Sequence, residues 1–384
     1  MAGTLLLLFI SLSITTNLFN NALAANPEGN LGDSKCPRPE CRESEKATFL
    51  IVFGDSLFDV GFGIDELCLP SDNKPYGQKF KSPTGFSKGR FSDGRTIPDF
   101  IAEYLLGAED GVTPYTCKLK ESNDKFTGKS LSFAQAGAGV LERSSKGTGR
   151  TLGEQVKLFG ELDEKITLFD EVKKKEDTLY LISIGAFDYL QEIRNKASTS
   201  IDPAKVVEKI VEAVTTIIKD KGGRRFAVMS IGPLRHYPIV RQLSLDEERV
   251  RELNRLVDEH NKQLKVKLGE TLKDSKYSYS ILEYHKIIEE MVEKPGLYGF
   301  DAHTIQSACC GWGPLKAEGC GSLDENGCGE DSIEEYVFFD GMHHTEHVNH
   351  LMARFFWSSN EFASPKNLKS IAGLKKKEFD LPGF

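Results

Sequence analysis

The sequence predicts an α/β fold: a three-layer α/β/α sandwich around a central, mostly parallel, five-stranded sheet. Three observations predict it: five short apolar runs, longer amphipathic stretches between them, and a glycine shortly after each of the first four runs. The runs are Thr48–Phe53, Leu131–Ala134, Thr178–Ile184, Arg225–Ile231 and Tyr277–Leu282. Each is too short for a helix, and most are almost continuously apolar, as strands buried on both faces of a parallel sheet are. Helical patterns alternate with them. Pro98–Leu106 follows a start signal at Asp93/Thr96, and Pro203–Lys219 repeats apolar residues at Val206, Ile210, Val214 and Ile217. Leu245–Leu268 reads as a long charged helix, with Ser244 as its N-cap and its end before Gly269.

In such a sheet, ligands sit beyond the carboxyl ends of the strands. The segments found there are Gly54-Asp55-Ser56-Leu57, Gly137-Ala138-Gly139, Gly185-Ala186-Phe187-Asp188 and Gly232-Pro233. Their glycines let backbone approach a ligand closely.

Composition bounds the function. The 384 residues carry 49 Lys+Arg against 57 Asp+Glu, a net charge of −8, and 39% are hydrophobic. This acidic balance argues against a nucleic-acid surface. Residues 1–24 hold no charged side chain, carry an apolar run from Leu5 to Ile14, and end in Ala22-Leu23-Ala24. That pattern reads as a cleaved secretory signal; the run is shorter than the roughly 20 residues a membrane span needs. An irregular arm follows over 25–46, then one domain over 47–365 and a tail over 366–384 bearing Lys375–Lys377. The expected location is the secretory pathway, extracellular or vacuolar. There the eight cysteines, Cys36, Cys41, Cys68, Cys117, Cys309, Cys310, Cys320 and Cys328, imply several disulfides of unspecified connectivity. No Asn-x-Ser/Thr sequon occurs.

Ser56 lies on the turn after the first run, where its hydroxyl and its own N–H would stand near a helix N-terminus. Such a serine is commonly a helix cap. An unassisted hydroxyl is also a poor nucleophile, so a base and an orienting carboxylate are needed. The segment Asp340-Gly341-Met342-His343 offers both, three residues apart around a glycine. The competing reading is zinc: His343, His347 and His350 would share a face of a continuous helix. His236 and His285 read as turn or hydrogen-bonding residues, and Asp188 as a cap or turn behind Phe187.

These residues reach a known family. The chain resembles the plant-type GDSL esterase/lipase family within the SGNH hydrolase superfamily. The first block is Phe53-Gly54-Asp55-Ser56-Leu57-Phe58-Asp59-Val60-Gly61, followed by Gly89-Arg90-Phe91-Ser92-Asp93-Gly94-Arg95. The second block is Ser132-Phe133-Ala134-Gln135-Ala136-Gly137-Ala138-Gly139. Ala308-Cys309-Cys310-Gly311 and Asp340-Gly341-Met342-His343 resemble the C-terminal blocks. The resemblance implies an SGNH, flavodoxin-like sheet, Ser56 as nucleophile, His343 as general base and Asp340 as the group that orients His343. It also implies an oxyanion hole made from the N–H of Ser56, the N–H of Gly137 and an Asn side chain. That Asn is missing: the family pattern Gly-x-Asn-Asp stands here as Gly185-Ala186-Phe187-Asp188, and the usual Gly-Asn-Asn as Gly61-Phe62-Gly63.

Losing one oxyanion donor costs on the order of 3 kcal/mol, or about 10²- to 10³-fold in turnover. Three functions therefore follow from the resemblance. The first is a serine acyl-ester hydrolase working through acyl-Ser56. The second is an acyltransferase moving an acyl group, a hydroxycinnamoyl group for example, to an alcohol, favoured by a drier site beside Phe187. The third is a catalytically silent binding protein. The expected partner is a small acyl ester, with an alcohol acceptor in the second case, and no cofactor or metal is implied.

Overall fold

The computed structural model describes residues 46–62, 74–81, 89–116, 126, 128–145, 149–166, 176–194, 201–322, 329 and 332–374. The expected signal, most of the arm and Lys375–Lys377 lie outside them. All five expected strands are present: β1 (Phe49–Gly54), β3 (Ser130–Ser132), β4 (Thr178–Ser183), β5 (Arg225–Met229) and β6 (Ser278–Leu282). β1 lies parallel between β3 and β4, and β5 and β6 continue in parallel beyond β4. Every residue of β1, β4 and β5 is buried, which is why these runs carry almost no polar alternation.

Among the described residues the sheet has seven strands rather than five, in the order β2-β3-β1-β4-β5-β6-β7. The two additions are edge strands of two residues each, β2 (Thr113–Pro114), parallel to β3, and β7 (Ala363–Ser364), antiparallel to β6. Two residues leave no periodic signal in a sequence, and Pro114 is tolerated there because an edge strand need not donate on both sides.

The helices form where pattern and caps agree. α1 (Ile97–Leu106) starts on a capping box of Thr96 and Asp99, with Pro98 in its first turn, and stops at Gly107. α2 (Glu142–Ser145), α3 (Leu152–Ile166) and α4 (Ala186–Arg194) follow. α5 (Pro203–Lys221) opens on the Asp202 carboxylate, which accepts from Ala204 N at 3.0 Å, and closes at left-handed Gly222. It buries Val206, Ile210, Val214 and Ile217, each contributing roughly 1.5–3 kcal/mol. After α6 (Pro238–Gln242), α7 (Glu247–Thr271) departs from expectation at both ends. Asp246, not Ser244, caps it by accepting from Arg249 N at 2.9 Å, because Ser244 sits at φ +48° in the preceding turn. The helix also runs through Gly269, which lies mid-turn and ends nothing. α8 (Tyr284–Glu293), α9 (Glu346–Ser358) and α10 (Leu368–Ile371) follow.

α3, α5 and α7 pack side by side, α1 pairs with α9, and β1 touches both α3 and α1. The described residues all fall in one compact unit. The chain does not leave the body at residue 365: Leu368, Ile371 and Ala372 are buried, and Ala47 N donates to Ala372 O at 2.8 Å. Among the described residues no helix is long and apolar enough to cross a membrane.

Candidate active site

The sheet order reverses at β1, so the carboxyl end of β1 opens between two diverging connections, and Ser56 stands there. Gly54 makes the turn possible. At φ +154° a Cβ would lie 2.2 Å from the Ser183 carbonyl oxygen of β4, which no side chain tolerates. Buried Gln155 of α3 locks this glycine from both sides: Gly54 N donates to Oε1 at 2.9 Å, and Nε2 donates to Gly54 O at 2.8 Å.

From the far end of the chain, the segment before α9 brings Asp340 and His343 to the same place. His343 Nε2 lies 2.7 Å from Ser56 Oγ, and its Nδ1 lies 2.8 and 2.7 Å from the two Asp340 carboxylate oxygens. A carboxylate only accepts, so the proton is assigned to Nδ1, leaving Nε2 free to accept from the serine hydroxyl. Asp340 also accepts from Met342 N and His343 N, both at 2.8 Å, and from Tyr76 OH at 2.7 Å. Burial alone would raise its pKa; the adjacent His343 charge and these hydrogen bonds more than offset that and hold it at about 2. Burial and the Asp340 charge keep Tyr76 protonated, hence a donor.

The loop is braced from behind. Cys309 N and Cys310 N donate to Phe338 O and Phe339 O at 2.9 and 2.7 Å. Cys310 is joined to Cys320 by a disulfide, and Cys309 is disulfide-bonded as well. The other five cysteines fall outside the described residues. Gly341 is needed because a Cβ there would meet Ala317 O at 2.1 Å. Phe91 lies against the imidazole of His343, with ring centroids 4.8 Å apart.

Gly137, at φ +74°, sits in a loop tied to the serine turn. Gln135 N donates to Gly54 O at 3.0 Å and Ala136 N to Asp59 Oδ2 at 2.7 Å. The other Asp59 oxygen accepts from Gly61 N and Phe62 N, both at 2.8 Å. Phe187, in the first turn of α4, lines the same cleft as Ser56 and His343 and offers no side-chain donor. Asp188 is more than a local cap. Its carboxylate reaches across to accept from Val140 N at 2.9 Å and Leu141 N at 3.1 Å, pinning the far side of the Gly137 loop.

The other histidines are elsewhere. His347 packs edge-on against Phe300 and His350 stacks on Phe100, and His343 precedes α9 rather than riding on it. Among the described residues no three His, Cys, Asp or Glu side chains group as a metal site. His236 Nε2 lies 3.3 Å from Glu289, and His285 Nδ1 lies 3.2 Å from Ile231 O. Tyr76 and Gln155 escaped the sequence reading, because one hydroxyl and one amide far from the blocks carry no local pattern.

Residues 50–356 match the model of the GDSL-like lipase/acylhydrolase family. The chain belongs to that family. GDSL esterase/lipase 1 of Arabidopsis thaliana is 34% identical over 348 residues, covering 85% of this chain and 90% of its own length. A GDSL lipase of Tanacetum cinerariifolium is 33% identical, covering 86% and 89%. The inactive GDSL esterase/lipase-like protein 25 of Arabidopsis thaliana is 31% identical, covering 85% and 75%. The chain is thus an esterase/lipase-type hydrolase by family, with the α/β sheet expected of it.

Beside the serine, Asp55 is buried, and desolvation pushes its carboxyl up to about 7 against hydrogen bonds from Leu57 N and its own backbone N–H and against the nearby His343; Asp188 adds to the rise. A raised folded-state pKa stabilises the fold fully below about pH 4, and that contribution fades as pH rises through about 7. Relative to an Asp55→Asn variant, the wild type is therefore expected to lose about 2–3 kcal/mol of stability between pH 5 and pH 8. Paired urea melts at the two pH values check this, and a constant difference rejects it.

Proposed function

We propose that the protein is a secretory-pathway serine acyl-ester hydrolase that works through an acyl-Ser56 intermediate. One observation carries the reading: the unbroken chain from Ser56 Oγ through His343 to Asp340, at 2.7 Å on each side of the imidazole. In acylation, Ser56 Oγ bonds to the ester carbonyl carbon while its proton passes to His343 Nε2. The carbon–alkoxy bond then breaks, and the alcohol leaves with that proton. In deacylation, His343 takes a proton from water as the water oxygen bonds to the acyl carbon; the carbon–Oγ bond then breaks, His343 returns the proton to Ser56 Oγ, and the carboxylic acid leaves. Asp340 stabilises the imidazolium in both steps. The backbone N–H groups of Ser56 and Gly137 meet the oxyanion. The uncharged leader and the disulfide-bonded cysteines support the compartment.

The test is covalent labelling. Purified mature protein is expected to react with a small fluorophosphonate, and Ser56→Ala to lose the adduct. Equal labelling of both, or none of either, rejects the nucleophile and favours the silent reading, for which the inactive relative is a precedent in name. Phe187 supports a second reading, transfer to an alcohol, because an apolar wall at the serine slows attack by water. Adding a polyol acceptor and measuring new ester against free acid separates the two.

A further inference from the structure

The cleft beside Ser56 and His343 is walled among the described residues by Leu57, Phe187, Leu190, Tyr237 and Met342, and the free room in it is about 20 Å³. A void needs roughly 10–15 Å³ to hold one water, so the enclosed part of the cleft beside the serine is small, and the rest of it is open to solvent. The walls differ in how firmly they are held. Tyr237 is buried, and its hydroxyl lies 2.7 Å from that of Tyr284, which lies 2.5 Å from His344 Nε2. His344 Nδ1 faces the Val337 carbonyl at 2.9 Å and so donates to it. His344 Nε2 therefore accepts from Tyr284, and the Tyr284 oxygen accepts from Tyr237. The Tyr237 hydroxyl is thus committed to a buried chain, which fixes the ring and leaves an apolar face for substrate. Leu190 is buried on α4. Phe187 is half-exposed and fills the remaining side.

Resting on the acyl-Ser56 reading, we propose that this site selects esters of short acyl groups, acetyl above all, and that Phe187 sets the limit. Longer acyl chains enter only by displacing that ring. On this reading a hydroxycinnamoyl group, like a long chain, reaches the enclosed part of the cleft only by displacing that ring. The alcohol part of the ester lies outside this cleft and is not restricted by it.

The experiment compares kcat/KM for p-nitrophenyl acetate, butyrate and octanoate in wild type, Phe187→Ala and Phe187→Trp. One extra methylene changes discrimination by roughly 10- to 200-fold where a pocket wall is rigid. Wild type is expected to favour acetate over octanoate by at least about tenfold. Phe187→Ala should shrink or invert that ratio, and Phe187→Trp should steepen it. Reading a ratio removes any general loss of activity. A wild-type preference for octanoate, or a ratio that neither variant moves, overturns the proposal. Labelling with ethyl and octyl fluorophosphonates separates the levels. Equal rates at Ser56 overturn the chain-length limit and leave the acyl-serine reading standing; no adduct with either overturns both.

Discussion

Replacing Asp340 with Asn is expected to lower kcat by about 10⁴-fold while the fold survives. The size of the effect follows from where the proton must sit. In the native site the Asp340 carboxylate accepts from Met342 N, His343 N, Tyr76 OH and His343 Nδ1. An asparagine can satisfy the two backbone donors only by keeping its carbonyl oxygen toward them. Its NH₂ group then faces Tyr76 and His343 Nδ1. Nδ1, which the retained oxygen and the NH₂ both reach, is drawn into accepting from the NH₂ once no negative charge holds its proton; the ring proton then moves to Nε2, and the nitrogen 2.7 Å from Ser56 Oγ can no longer take the serine proton. Because Asp340 is held at about 2, it stays ionised from mildly acidic to alkaline solution, so the loss should be constant across pH 5–8. Tyr76→Phe, which removes one donor to the same carboxylate, should cost far less. Turnover of p-nitrophenyl acetate alongside circular-dichroism melts checks both. A loss under tenfold for Asp340→Asn would mean that the carboxylate is not what sets the histidine tautomer.

The same residues show what a sequence makes legible. Ser56, Asp340 and His343 were readable because each stands in a short block whose spacing is itself the chemistry: a strand-end turn for the serine, three residues around a glycine for the pair. The long strands were readable because burial on both faces makes them continuously apolar. What failed to register were features held together by distant partners. β2 and β7 are two-residue pairings at the sheet edges. Gln155 acts on Gly54 from 101 positions away, and Tyr76 on Asp340 from 264. The end of α7 failed for another reason. Gly269 lowers helix propensity by only about 1 kcal/mol, less than the packing of Leu264 and Leu268 returns, so the helix runs on. Phe187 was legible as a missing donor, but its role as a wall needed Tyr237 and Met342, which come from other parts of the chain.

Arg90→Met is expected to destabilise the protein by about 3–5 kcal/mol, lowering Tm on the order of 10 °C. Arg90 has no solvent exposure, and its Nε and Nη2 donate in parallel to the two Asp99 oxygens, both at 2.8 Å. Nη1 also donates to Val60 O at 3.2 Å and Nη2 to Val112 O at 3.3 Å, so one guanidinium joins the serine-turn segment, α1 and the approach to β2. Asp99 cannot simply give up its charge when the arginine goes. It also accepts from Thr96 N and Val112 N, both at 2.9 Å; the first bond caps α1 and the second ties the approach to β2. Methionine therefore leaves a buried carboxylate with no counter-charge, and the cost is that of the uncompensated ion rather than the net worth of the pair. Adding Asp99→Asn, which keeps an acceptor for Thr96 or Val112 and removes the charge, should recover part of the loss. The pH dependence has a definite sign. Burial would raise the Asp99 pKa, but Arg90 and the N–H donors bring it below the usual carboxylate value. The stability the pair provides is then present above about pH 4 and lost as pH falls, so the Arg90→Met penalty should shrink in acid. Activity should fall before unfolding begins, because Phe91, the next residue, is the ring that lies on His343. Urea melts at pH 7 and pH 4, read beside kcat, separate these effects. A penalty under 1 kcal/mol at pH 7 would show that the buried pair contributes little, and an unchanged kcat in the folded variant would show that Phe91 is held without it.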